Sequence, residues 1–199
     1  MARIIILVKN NNYKYTPSDR TELVNTVRRN LRDYDYNIKL VDVRVASYHV
    51  EFDLLVDEDS VDINGIKKLL ENHVGEVLEV RRILEYEEAD EELFRKALDL
   101  FNKERFWEAH EALEPLWRKA AGDEKETLHG LILIAAAFVN YQKNKMDRAF
   151  AVFERALARL SKAEDVYRGI DIAGVRNEVK SMLDSRVIRP FRLSAELDK

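Results

Sequence analysis

Between Phe106 and Trp117 the chain concentrates side chains able to do chemistry: Trp107, Glu108, His110, Glu111, Glu114 and Trp117. On a helix, residues four apart lie one above the other, so His110 and Glu114 can meet. Imidazole and carboxylates converging in a helical bundle are suited to holding a divalent ion, and His129 is a further imidazole to add to His110, Glu111 and Glu114. A metal-free alternative has Glu114 tuning His110 for acid–base work. The chain has no cysteine, so thiolate ligands, disulfides and thiol catalysis are excluded.

Each chemical reading has a packing counterpart. Dinuclear carboxylate bundles draw a Glu-x-x-His pair from two separate helices, and only one such helix is visible. Neither a nucleophile nor a phosphate-cradling glycine loop accompanies the cluster. His110, Glu111 and Glu114 can instead hydrogen-bond to tryptophan indoles, to Arg118 or to helix ends and lock a bundle. His129 precedes Gly130, where a small residue permits a close helix crossing. Pro115 removes a backbone hydrogen bond in mid-helix and predicts a kink beside Glu111 and Glu114. The expected role is therefore non-catalytic, a protein-binding or scaffolding surface in the cleft beside this helix. A metal-dependent hydrolase using His110, Glu111 and Glu114 is the alternative, and no cofactor is expected apart from that ion.

Apolar spacing of three and four residues predicts the elements that position the motif: helices near 90–103, 105–121, 124–143, 146–162 and 172–184, a small bundle. Residues 1–85 read differently. Strand, helix, strand, strand, helix, strand is the order of a ferredoxin-like βαββαβ unit. Thr16, Pro17 and Asp19 form a helix-start signature. Val41, Val43 and Val45 are expected on one face of the second strand, and Tyr48, Val50, Phe52, Leu54 and Val56 on one face of the third. A second helix runs from near Asp62 to Gly75, and the last strand from Val77 to Leu84. The first strand is apolar on both faces, so a second covering layer is expected from the helical domain, the tail or another subunit. The acidic stretch from Glu85 to Glu92 marks the boundary, with Asp90 as N-cap of the next helix. The fold class is thus α+β, with a ferredoxin-like domain over 1–85, a helical domain over 90–185 and a C-terminal tail over 186–199.

The 199 residues carry a formal charge of −4, with 46% hydrophobic and 35% charged side chains and only 6 Gly and 3 Pro. This suits a helix-rich globular protein rather than a disordered one. Its usage leans toward that of a thermophile. No apolar run is long enough to span a membrane, and the opening ARIIILVK turns polar too soon for a signal segment, so a cytoplasmic location is expected. Nucleic acid is disfavoured as a partner, because Glu51 and Asp53 share the sheet face opposite Phe52 and would repel phosphates. A protein partner or self-association is expected instead. The tail segment VIRPFRL, apolar and basic, is expected to dock within its own chain.

The run FNKERFWEAHEALEPLWR, followed by LHGLILIAAAFVNYQKNKMDRAFAVFERALARL, resembles the domain of unknown function 309 family over residues 92–162. Phe101-Asn102, Glu108-Ala109-His110-Glu111, Leu113-Glu114 and Trp117-Arg118 carry the resemblance. It implies a helical, bundle-like domain and a site at this helix, and it implies no reaction. The chain departs from the family pattern at Arg148, in place of a glycine, and at Asn140, where relatives carry a histidine. A weaker echo links Met146-Asp147-Arg148-Ala149 to Phe106-Trp107-Glu108-Ala109, forty residues apart.

Overall fold

A computed structural model describes residues 2–35, 37–57, 61–82 and 89–193. Two compact units emerge, Met1–Glu85 with Gln142–Asn144 and Tyr86–Tyr141 with Lys145–Lys199.

The first unit contains strands β1 (Ala2–Lys9), β2 (Lys39–Val45), β3 (His49–Val56) and β4 (Val77–Arg82), and helices α1 (Arg20–Tyr34) and α2 (Ile63–His73). The strands form one antiparallel sheet in the order β2-β3-β1-β4. The chain thus has the expected α+β class, with this βαββαβ unit preceding the helices. Helix α1 is entered through a 3-10 turn over Pro17–Asp19, where the Thr16 N–H donates to the Asp19 carboxylate at 2.7 Å. Helix α2 is capped by Asp62, which accepts from Gly65 N–H at 3.0 Å. Ile4, Ile6 and Val8 of β1, Val50, Phe52, Leu54 and Val56 of β3, and Leu23, Val27, Leu31, Ile66 and Leu70 of the helices share one core.

Two strand expectations are corrected. The register of β2 slips between Leu40 and Asp42, so Leu40 packs on the core while Val41 turns outward at 50% exposure. An extra residue in one strand inverts the alternation beyond it, which strict period-two reading misses. Tyr48 precedes β3 and lies in the exposed turn rather than on its inner face.

The opposite sheet face is charged but internally paired. Arg44 on β2 meets Glu51 at 2.5 Å and Asp53 at 3.4 Å, and Arg3 meets Asp53 at 2.6 Å. Burial would raise the Glu51 pKa, but the Arg44 guanidinium, together with His49 beside it, outweighs burial and holds that carboxyl down to about 2. These carboxylates are therefore occupied by arginines, a pairing that the strand alternation did not disclose.

The second unit contains α3 (Asp90–Asn102), α4 (Phe106–Lys119), α5 (Gly122–Gln142), α6 (Met146–Leu160) and α7 (Ile172–Ser185), with a small hairpin of β5 (Val166–Tyr167) and β6 (Ile170–Asp171) before α7. Asp90 is not the N-cap of α3. Ala89 holds that position without a side-chain bond, and Asp90, Glu91 and Glu92 occupy the first turn, where carboxylates favour the helix dipole. Most of the acidic stretch before it, and the end of the strand expected to reach Leu84, lie outside the described residues.

Helix α5 is apolar on nearly every side and forms the centre of the core: Leu128, Leu131, Ile132, Ile134, Ala135, Ala137 and Phe138 are all buried. Phe138 touches the rings of Phe101, Phe106, Phe153 and Phe191, so side chains from α3, α4, α6 and the tail meet on it. Gly130 sits at a close crossing, where a Cβ would lie 2.5 Å from the Leu160 side chain.

Candidate functional site

Helix α4 carries the motif and continues through Pro115 to Lys119. Its apolar stripe, Phe106, Ala109, Ala112, Leu113 and Leu116, is buried. Glu108 is buried with it, at 1% exposure, and its carboxylate takes two bonds from Arg105, at 2.7 Å to Nε and 3.1 Å to Nη2. Such a bidentate pair satisfies both oxygens of a desolvated carboxylate. Glu108 thus ties the first turn of α4 to the residue before it.

His110 and Glu114 do come together, with Nε2 3.8 Å from Oε1, beyond hydrogen-bond distance. On its other side, His110 Nδ1 is 3.3 Å from Glu111 Oε1, without hydrogen-bond alignment. Glu114 is held instead by Arg118, one turn on, at 2.6 Å. His129 of α5 lies against Trp117 with ring centroids 5.4 Å apart, and Lys125 sits over the indole at 5.1 Å. His110–Glu114 and Trp117–His129 are two separate contacts. Among the described residues, no group of three or more His, Cys, Asp or Glu is arranged to hold a metal ion. Asn140 donates to the Ala136 carbonyl of its own helix at 2.8 Å.

His129 also borders a pocket of about 590 Å³ whose lining includes no residue of α4: Asp123, Glu126 and Leu133 flank it on α5, with Arg155, Ala158 and Arg159 of α6 opposite, followed by Ser161 and Lys162. Partial burial, then Arg159, push the His129 pKa below its ordinary value. Of these residues only His129 was singled out by sequence reasoning. The signal was present, because Arg155, Arg159 and Lys162 follow one another at spacings of four and three on one helical stripe, but such a run reads as a solvated face.

A second feature missed by residue-type reasoning is Asn102. The tail leaves α7 through Arg186 in a left-handed conformation, φ 55°, and continues without regular structure. Ile188 and Leu193 are buried in the helical core, and Phe191 contacts Phe101 and Phe138. The Asn102 amide then grips the tail backbone at both groups of one residue, donating to Leu193 O at 3.0 Å and accepting from Leu193 N at 2.8 Å. Asn102 stood within the family signature without any assigned role.

Comparison with known proteins agrees with this placement of the motif. Residues 94–152 match the model of the domain of unknown function 309. The chain is 27% identical over 136 residues to an uncharacterised protein of Aquifex aeolicus, a match spanning 68% of this chain and 36% of that relative's length. A solved structure of a conserved hypothetical protein from Thermus thermophilus is 32% identical, covering 45% of this chain and 94% of its own, with a TM-score of 0.41. The domain of unknown function 309 model thus covers the signature on α3 and α4 together with α5 and the first half of α6.

Proposed function

We propose that the helical unit is a non-catalytic binding domain that captures an extended polypeptide segment, here its own tail. The observation that carries this reading is the Asn102 grip on Leu193, combined with Phe191 against two aromatic rings and burial of Ile188. An amide that reads both backbone groups of one residue recognises an extended chain whatever its side chain, while spaced apolar pockets supply selectivity. The capture surface lies beside the α3–α4 turn and the start of the motif helix, not at His110 and Glu114. The hydrolase reading has less support, since Arg118 engages Glu114 at 2.6 Å while His110 stays 3.8 Å away from it.

A full-length Phe191→Ala/Leu193→Ala variant loosens the native tail while leaving Asn102 in place. A fluorescent peptide corresponding to residues 187–193 is expected to bind this variant and not the intact chain, and to lose binding when Asn102→Ala is added. Absence of peptide binding to a variant with unchanged circular dichroism would sink the reading.

A further inference from the structure

The pocket between the start of α5 and the end of α6 has a charge arrangement that packing does not account for. Its walls are brought close by the Gly130–Leu160 crossing. Some of its polar groups are spent internally: Glu126 pairs with Arg159 at 2.8 Å, and the Ser161 hydroxyl donates to the Ala158 carbonyl at 2.8 Å. Others are not. Among the described residues, Arg155 and Lys162 have no carboxylate partner, and the Asp123 carboxylate has no cation. Two free cations and one free carboxylate thus share one concavity with a partly buried imidazole.

We infer that this pocket binds a small phosphorylated polyol of the sugar-phosphate class. The phosphate sits between Arg155 and Lys162, whose donors form strong charge-assisted bonds to its oxygens. Asp123 accepts from the hydroxyls, and His129 offers a ring nitrogen to them. The volume decides against bare phosphate, since about 590 Å³ lies within the ~300–1,000 Å³ of small-molecule sites. Chemistry decides against a nucleotide, because His129 is the only ring in the lining and its nearer aromatic partner, Trp117, lies outside it. No lining residue is shared with the tail-binding surface, so the two sites can fail or hold independently of one another.

The test titrates the full chain with glucose 6-phosphate, inorganic phosphate and glucose, following the His129 ring resonances by NMR. Glucose 6-phosphate is expected to saturate, inorganic phosphate to bind about tenfold more weakly, and glucose to have no effect, as loss of one charged hydrogen-bonding group predicts. The His129 pKa is expected to rise on binding, because the anion offsets the field of Arg155 and Arg159; Glu126 and the Trp117 ring, its other neighbours, stay in place. Arg155→Ala and Lys162→Ala should each weaken binding about tenfold or more. Asp123→Asn should weaken glucose 6-phosphate relative to inorganic phosphate. All three side chains are exposed, so folding is preserved, and Arg148→Ala serves as the remote control for loss of one positive charge. The inference is overturned if glucose 6-phosphate binds no tighter than inorganic phosphate, if Arg155→Ala/Lys162→Ala binds as the intact chain does, or if no ligand moves the His129 signals.

Discussion

The two helical hairpins, α3–α4 and α5–α6, use one turn for different purposes. Glu104 and Asn144, forty residues apart, both adopt left-handed backbone, φ 57° and 56°. Arg105 N–H bonds Leu100 O at 2.9 Å, and Lys145 N–H bonds Asn140 O at 2.8 Å, again forty apart. Ala109 and Ala149 are both fully buried at the same step of the second helix. Beyond the turn the hairpins diverge. Phe106 is buried where Met146 is 38% exposed, Glu108 is buried and paired where Arg148 is exposed, and His110 stands where α6 has the buried Phe150. Since α6 packs without them, the polar groups of α4 are not needed to make such a hairpin. They fall into two sets: Glu108, which fastens the helix start, and His110 with Glu114, which are neither deeply buried nor hydrogen-bonded to each other.

The comparison can be broken at its shared centre first. Phe138→Ala removes the ring on which side chains from both hairpins meet and is expected to cost ~3–5 kcal/mol in urea unfolding. A smaller loss would mean that each hairpin is stable without the other. Next, Glu108→Ala leaves the Arg105 guanidinium, 11% exposed, without this partner and should cost about 3 kcal/mol, whereas Arg148→Ala at the matching position should stay within about 0.5 kcal/mol. Equal effects would erase the distinction between the hairpins.

The sheet provides a yardstick for such a buried pair. The Glu51 pKa is lowered from the ordinary 4.5 to about 2, so its contribution is complete above the ordinary value and is lost as pH falls toward 2. Glu51→Gln should therefore flatten the acid limb of a pH–stability curve, and an unchanged limb would refute the Arg44–Glu51 assignment. Asn102→Ala, losing two bonds to Leu193, should cost ~1–2 kcal/mol and speed hydrogen exchange at Leu193. Smallest of all, Glu114→Ala should cost less than about 1 kcal/mol, because its Arg118 partner is 69% exposed. A larger loss, measured by thermal melting, would place Glu114 among the groups that lock the bundle.

Much of this was legible in residue order. Apolar spacing located α3 to α7 because each buries apolar side chains at steps of three and four, and Thr16 with Asp19 announced the start of α1. The signature around His110 led to the right helix, yet its side chains divided by burial, which composition does not encode: Glu108 and Glu114 look alike in the sequence and differ wholly in solvent access. Pairings across long separations were least visible. Arg44 with Glu51 depends on strand register, Asn102 with Leu193 spans 91 positions, and the α5–α6 pocket draws its lining from two stretches of chain, Asp123 to Leu133 and Arg155 to Lys162.

The slip of β2 at Val41 reaches beyond the placement of one valine. Strand β2 is an outer member of its sheet, and a regular outer strand offers evenly spaced amide and carbonyl groups on which another chain can extend the ladder. The bulge breaks that spacing midway along a seven-residue strand, so a straight incoming strand could match one half of it or the other. Any self-assembly of this protein through that border would start from a mismatched template.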